Sequence, residues 1–298
     1  MINGPRFINR NKQSSLSFDP LLKSVSFNTV EGWVLQGSAA FEKDLKGRRK
    51  FSVTPVLRYG TSNRLLNAYF SSSFRYGKKF VNRLSISMGK KVFQFNNANP
   101  IPQIMNTVST LFDGANYMKI YQANFMQAGY FKALGHGIDM DVNIQYQNRN
   151  PMTNVDILQI GGNRGKFKNL TPNYPIEAGT GPMVSHQSLV ASIRFRFRPG
   201  ARYVELPDGQ VNTFSRSPVF SFQYSRAISG LFDNDSRFGK WRFSVVGDIN
   251  FKIGGEFKYK IQSGGFLHAA RVELPDYNHF IGNLTGKATP YVESFQVA

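Results

Sequence analysis

The sequence predicts an all-β protein, namely an antiparallel transmembrane β-barrel that is incomplete, with about 11 visible strands. Residues 241–252, WRFSVVGDINFK, alternate apolar and polar side chains along a whole strand, and this pattern recurs about ten times. Aromatic residues make up 14% of the chain, but only 41% is hydrophobic, so apolar residues are interleaved with polar ones. No segment approaches the roughly 18 to 20 uninterrupted apolar residues of a membrane-spanning helix. Such a chain enters a bilayer only as a closed sheet, which satisfies its backbone hydrogen bonds internally.

The first half of the chain contains six predicted strands. In the first of them, Trp33, Leu35 and Phe41 share one face, and Gly135-His136-Gly137 joins the fifth and sixth as a hairpin. We expect strands at residues 26–41, 51–59, 66–76, 80–95, 117–132 and 138–147.

The second half continues the pattern after a long loop rich in Gly, Asn and Pro. Predicted strands cover residues 189–198, 219–224, 241–252 and 257–262, and a last one follows a turn at Gly264-Gly265 toward residue 272. Connections after the third, fifth and ninth strands are short, whereas those after the fourth and sixth are long, which is typical of outer-membrane barrels. The connection at residues 199–217 breaks this rule.

The two ends of the chain complete the predicted organisation. Residues 1–24 form a lead-in segment without the apolar core of a signal peptide, so we expect the export signal to lie upstream. Residues 25–298 form the barrel domain. Residues 290–298 look like the start of a further strand, and bacterial barrels have even strand counts, so we expect C-terminal strands to be missing.

The formal charge of +19 raises the question of nucleic acid binding. Its basic residues alternate with aromatic ones along strands or lie in turns, and no basic helix gathers them, so we expect no nucleic-acid partner. The chain has no cysteine, and its four histidines have no metal-ligand spacing. We therefore expect no metal site and no cofactor.

Two sets of charged residues are candidates for the lining of a hydrated lumen. Asp139 and Asp141 share one face of a strand, as paired catalytic carboxylates would, but hydrated lining explains them as well. Arg194, Arg196 and Arg198 alternate with phenylalanines. They could form a positive constriction that favours anions, or pair with acids of neighbouring strands.

Other signals have ordinary explanations. Gly161-Gly162-Asn163-Arg164-Gly165 lacks the ending of a phosphate loop and reads as a surface loop. Aromatic residues near strand ends fit interfacial girdles, although the core of a soluble β protein would use the same residues; these are Trp33, Tyr59, Tyr76, Tyr146 and Trp241.

Three segments together resemble a family of large Bacteroidota outer-membrane proteins of unknown function. These are Phe27-Asn28-Thr29-Val30-Glu31-Gly32, the run from Ser217 to Tyr224 with Gly230-Leu231-Phe232 after it, and a loop near the end. The family-like loop comprises Leu274, Pro275, Asp276, Tyr277, His279, Phe280, Gly282 and Asn283. In that family a small carboxypeptidase-regulatory-like domain precedes a C-terminal barrel, so the resemblance implies a barrel fragment. The barrel is also distantly similar to the surface-antigen barrels that insert or secrete outer-membrane proteins.

Together these features predict a non-enzymatic protein of the cell outer membrane. The expected tasks are transport, surface display or outer-membrane assembly, and the expected partners are outer-membrane lipid, lipopolysaccharide or other outer-membrane proteins. One alternative is a soluble β-sandwich or lipocalin-like ligand-binding protein, with its apolar face around a core. Another is a barrel hydrolase, which requires a Ser or Asp close to a His.

Overall fold

A computed structural model describes residues 4–77, 80–97, 100–114, 116–155, 172–175, 181–206, 209–213, 218–251 and 254–277. It is all-β and built on one antiparallel sheet of 13 strands, with a separate two-stranded hairpin. The strands are β1 (Arg6–Asn9), β2 (Ser14–Phe18), β3 (Val25–Asn28), β4 (Gly32–Leu45), β5 (Arg49–Gly60), β6 (Leu66–Tyr76), β7 (Asn82–Gln94), β8 (Ile120–Gly135), β9 (Ile138–Pro151), β10 (His186–Phe197), β11 (Arg202–Leu206), β12 (Gly209–Thr213), β13 (Val219–Ala227), β14 (Arg237–Asn250) and β15 (Glu256–Arg271).

The sheet is a meander in which each strand from β4 to β10 pairs with the next one in sequence, and β13, β14 and β15 continue the order. β2 and β3 both pair with β4, and β1 pairs with β2. Within the described residues β1 and β15 each keep one unpaired edge, so the all-β prediction is confirmed and the sheet is open. The β11–β12 hairpin occupies the connection that broke the loop rule.

The strand count differs from the predicted 11 for local reasons. The predicted strand at residues 26–41 is interrupted, because the Asn28 side chain accepts hydrogen bonds from the backbone N–H groups of Val30 and Glu31 and so makes a tight turn. β1 and β2 are short and mostly polar, and they lie within the expected lead-in.

The predicted turn at Gly264-Gly265 is wrong, because both glycines lie inside β15 opposite Arg242 and Trp241. A Cβ at Gly264 would lie 2.7 Å from the Trp241 carbonyl oxygen, so the missing side chain permits a close approach of two strands.

The helices are short: α1 (Leu21–Ser24), α2 (Gln103–Val108), a π-helical turn at Ser109–Asp113 and a 3₁₀ turn at Leu274–Asp276. In the part of the chain that the structure describes, no helix has the length and apolar character needed to cross a bilayer. The Thr107 side chain of α2 accepts a hydrogen bond of 2.9 Å from the Phe27 backbone N–H, and thereby covers the free edge of β3.

The sheet has two chemically distinct faces and two distinct ends. The polar face carries Arg58, Asp141 and Arg194, and the apolar face carries Leu57, Val142 and Ile193, one residue away on the same strands. The short-turn end holds the β4–β5 and β8–β9 turns, and the long-loop end holds the β7–β8 and β9–β10 connections.

Side chains draw the long-loop end together across the polar face. The Thr29 hydroxyl, in the β3–β4 turn, donates to Asn154 Oδ1 at 2.8 Å and accepts from Asn116 Nδ2 at 2.7 Å. Asn154 follows β9, five strands away from β4 in the sheet order. The sheet is therefore curved, with its polar face on the inside of the curve.

Candidate functional site

The polar face contains the charged residues that the sequence singled out. In the register of β9 and β10, Asp141 lies opposite Arg194 and Asp139 lies opposite Arg196, so direct partners share that face. Arg198 follows the last residue of β10 and donates its backbone N–H to the Gly137 carbonyl. The structure thus brings Arg194, Arg196, Asp139 and Asp141 together.

The sequence predicted either a positive constriction or pairs between arginines and acids of neighbouring strands, and the observed contacts contain elements of both. Arg196 Nη2 lies 3.6 Å from Asp139 Oδ2, which is a partly exposed ion pair. Arg194 instead donates from Nε and Nη2 to Gln223 Oε1, at 3.0 and 2.8 Å, although Asp141 is its direct partner on the neighbouring strand. Among the residues that the structure describes, no carboxylate forms an ion pair with Arg194, which therefore keeps its positive charge.

The family-like loop turns back onto the polar face. Leu274 and Asp276 are only 4% exposed, and Pro275 lies between them in the 3₁₀ turn. The Tyr277 ring packs edge-on against Phe266 at 5.8 Å. His279, Phe280, Gly282 and Asn283 lie outside the described residues, as does the loop at residues 161–165.

Asp276 forms a buried ion pair with Arg149 of β9. Arg149 Nη1 and Nη2 donate to Asp276 Oδ2 and Oδ1 at 2.8 and 2.9 Å, which is the bidentate geometry of a strong guanidinium–carboxylate pair. Arg149 Nε also donates to Gln147 Oε1 at 2.7 Å. Each nitrogen of the guanidinium group thus has a hydrogen-bond partner, as burial of a charge requires.

His186 completes this cluster through both of its ring nitrogens. Its Nε2 is 3.2 Å from Arg149 Nη1, and its Nδ1 is 2.8 Å from the Val184 carbonyl. Because the arginine donates to Nε2, the neutral tautomer with the proton on Nδ1 satisfies both contacts. Two buried serines lie nearby: the Ser236 hydroxyl is 3.4 Å from Asp276 Oδ2 and 3.2 Å from the Ser188 hydroxyl.

A second buried ion pair lies under the β3–β4 turn. Glu31 is fully buried and accepts hydrogen bonds from Arg58, with Nε to Oε1 at 2.9 Å, and from Asn28 Nδ2 at 3.0 Å. Arg58 Nη1 donates to Gln36 Oε1 at 3.0 Å. This pair fixes the turn against the polar face of β5.

An aromatic cluster fills the space between the two ion pairs. Phe93, Tyr121 and Phe125 are buried, with Phe93 stacked on Tyr121 at 5.6 Å. Met183 and Leu274, from loops that follow β9 and β15, pack into the same cluster. The long-loop end of the polar face is therefore filled with side chains.

At the short-turn end the strand register gathers five cations, of which the sequence singled out only Arg194. Successive cross-strand partners run through the basic row, defined as Lys50, Arg75, Arg83, Arg194 and Arg242. Phe131 and Asp141 separate Arg83 from Arg194, and Gln223 separates Arg194 from Arg242. No sequence signal could have identified this row as a whole, because its successive members are 8 to 111 residues apart in the chain and only strand pairing aligns them.

Among the residues that the structure describes, no group of three or more His, Cys, Asp or Glu side chains could hold a metal ion. No curated protein and no solved structure matches the chain. Residues 1–298, the whole chain, match the C-terminal domain of a family of unknown function (DUF5686). The chain therefore belongs to this family and represents its C-terminal domain.

Proposed function

We propose that this domain is the wall of a non-enzymatic β-barrel in the cell outer membrane, with its apolar face toward lipid. One observation carries the proposal, namely an unbroken apolar row on the face opposite the basic row. The apolar row consists of successive cross-strand partners on eight strands: Phe51, Phe74, Leu84, Tyr130, Val142, Ile193, Tyr224 and Trp241.

The exposure of apolar side chains on this face indicates what the face contacts. Leu84 of the row is 47% exposed, and on neighbouring levels of the same face Met126 and Ile144 are 51% and 46% exposed. Isolated exposed apolar residues are normal on soluble proteins, but a contiguous surface of them over many strands marks a partner or a membrane. Lipid covers such a face along its whole extent.

The placement of aromatic residues supports the same orientation. Trp33 and Tyr59 lie on the apolar face near the long-loop end, and Tyr76 lies on it at the short-turn end. Amphipathic rings at both ends of the strands fit the two interfaces of a bilayer. Because lipid offers no hydrogen bonds, the edges of β1 and β15 must be paired in the membrane.

Among transport, display and assembly, the filled long-loop end favours surface display and binding. The buried ion pairs and the aromatic cluster occupy the polar face there, where a conducting pore needs water. The polar face at the short-turn end stays accessible, as the exposed Arg75, Arg83 and Arg194 show.

The two tryptophans test lipid contact directly, because both Trp33 and Trp241 lie on the apolar face. We expect lipids brominated on their acyl chains to quench the fluorescence of the reconstituted protein strongly, relative to unbrominated lipids. A matched control carries Trp33→Phe, Trp241→Phe and Gln145→Trp, which moves the only indole to the polar face. That variant should show little quenching.

Equal quenching in both proteins would contradict the orientation. A chain that stays folded and monomeric in buffer without detergent would overturn the membrane proposal and favour the soluble ligand-binding alternative.

A further inference from the structure

We propose that the basic row binds an anion that carries adjacent phosphate groups. The inference goes beyond the wall function, because it uses only the polar face and holds whether or not the other face meets lipid.

The first observation is an uncompensated like-charge pair at the centre of the row. Arg75 and Arg83 are direct cross-strand partners, so their Cβ atoms are about 5 Å apart and their charges repel. Both side chains are exposed, and within the described part of the chain neither forms an ion pair. Such a pair destabilises the free protein and is relieved when an anion binds between the two guanidinium groups.

The second observation is how the neighbouring charges are arranged. Lys50 at one end is compensated by Glu42, with Nζ 2.8 Å from Oε2. Arg83 and Arg196 both lie over the Phe131 ring, at 5.4 and 5.7 Å, and Arg194 binds the neutral Gln223. The ring and the amide therefore hold Arg83 and Arg194 in place without cancelling their charge, whereas Arg196 also pairs with Asp139.

The third observation is the chemistry of the donors. A guanidinium group matches phosphate oxygens with two parallel hydrogen bonds, and four of the five cations in the row are arginines. Arg75 and Arg83 lie on neighbouring strands about 5 Å apart, so an anion with several linked phosphates reaches both of them. Arg194 lies three strands further along the row, so it contributes less to binding. A single phosphate reaches fewer and binds more weakly.

The experiment titrates inorganic tripolyphosphate into the full chain folded in detergent, with calorimetry as the readout. We expect binding that exceeds the binding of orthophosphate and of sulfate by tenfold or more. The double variant Arg75→Gln/Arg83→Gln should weaken tripolyphosphate binding at least tenfold, and Arg194→Gln should weaken it by a smaller factor. The matched control is Arg226→Gln, which removes one exposed arginine from the opposite face and should change binding less than twofold.

Equal loss in the control and the double variant, or equal affinity for sulfate, would overturn the proposal, since net charge alone would then explain binding. Because each variant removes exposed charges, circular dichroism should show intact sheet.

A second arm adds the diphosphate lipid cardiolipin to the micelles. Competition with tripolyphosphate that depends on Arg75 and Arg83 would assign the site to a lipid headgroup, and no competition would assign it to a soluble phosphate. Loss of bilayer contact in the fluorescence experiment leaves either result unchanged.

Discussion

At the scale of single residues, the ion pair of Arg149 and Asp276 shows why a short turn after β15 packs against the polar face. Both side chains are about 5% exposed, so each charge depends on the other for compensation. Removal of one partner from a buried pair leaves an unpaired charge. Replacement of both partners by apolar side chains of similar size leaves an apolar contact instead.

Replacement of Asp276 by Ala should therefore lower the free energy of unfolding by about 3 to 5 kcal/mol, measured by chemical denaturation of the detergent-folded chain. The double variant Arg149→Met/Asp276→Leu should lose much less. Asp248→Ala, which removes an exposed carboxylate of β14, should stay within about 0.5 kcal/mol of the parent. A double variant as unstable as Asp276→Ala would show that the charges are not coupled.

At the scale of elements, β14 and β15 show how the absence of a side chain allows two strands to approach. Gly264 and Gly265 are neighbours in β15 and neither has a left-handed backbone, so space alone distinguishes them. A Cβ at Gly265 would meet its nearest atom, Trp241 Nε1, at 3.7 Å, which is an ordinary contact.

The variant Gly264→Ala should therefore lower the free energy of unfolding by about 1 to 3 kcal/mol, because the added methyl group forces the strands apart. Gly265→Ala is the matched control and should be nearly neutral. Thermal melts followed by circular dichroism measure both. Equal effects in the two variants would show that the strands are not this close.

At the scale of the whole molecule, an introduced arginine should affect the free energy of unfolding differently on the two faces of the sheet. Ile144 and Gln145 are consecutive in β9, and they point to the apolar and the polar face respectively. In a bilayer, Ile144→Arg should lower the free energy of unfolding by about 2 to 4 kcal/mol, whereas Gln145→Arg should be tolerated in a hydrated interior. Folding titrations in lipid vesicles measure the difference. Little or no cost for Ile144→Arg would mean that this face meets water.

The sequence predicted the all-β class and the faces of the long strands, because alternation with period two is a local signal. The hairpin at Gly135-His136-Gly137 agrees with the structure for the same reason. β1 and β2 escaped prediction because short polar strands carry little alternation, and the glycines of β15 look like a turn until Trp241 is placed beside them.

Only part of the candidate site could be predicted from the sequence. Asp139 and Arg196 could be placed on one face from sequence, but the partner of Arg149 could not, since it lies 127 residues away in the chain. The basic row is set entirely by register, which the sequence does not display.

The meander of β4 to β10 has a kinetic consequence. Because every strand pairs with its neighbour in the chain, the sheet can grow by one hairpin at a time with small losses of loop entropy. Arg149 is in place after β9, but it cannot meet Asp276 until β15 has joined the sheet. Until then a growing chain holds an arginine that lacks its carboxylate partner, beside a gap that Leu274 fills in the folded domain. The docking of β15 and the neutralisation of that charge are one event.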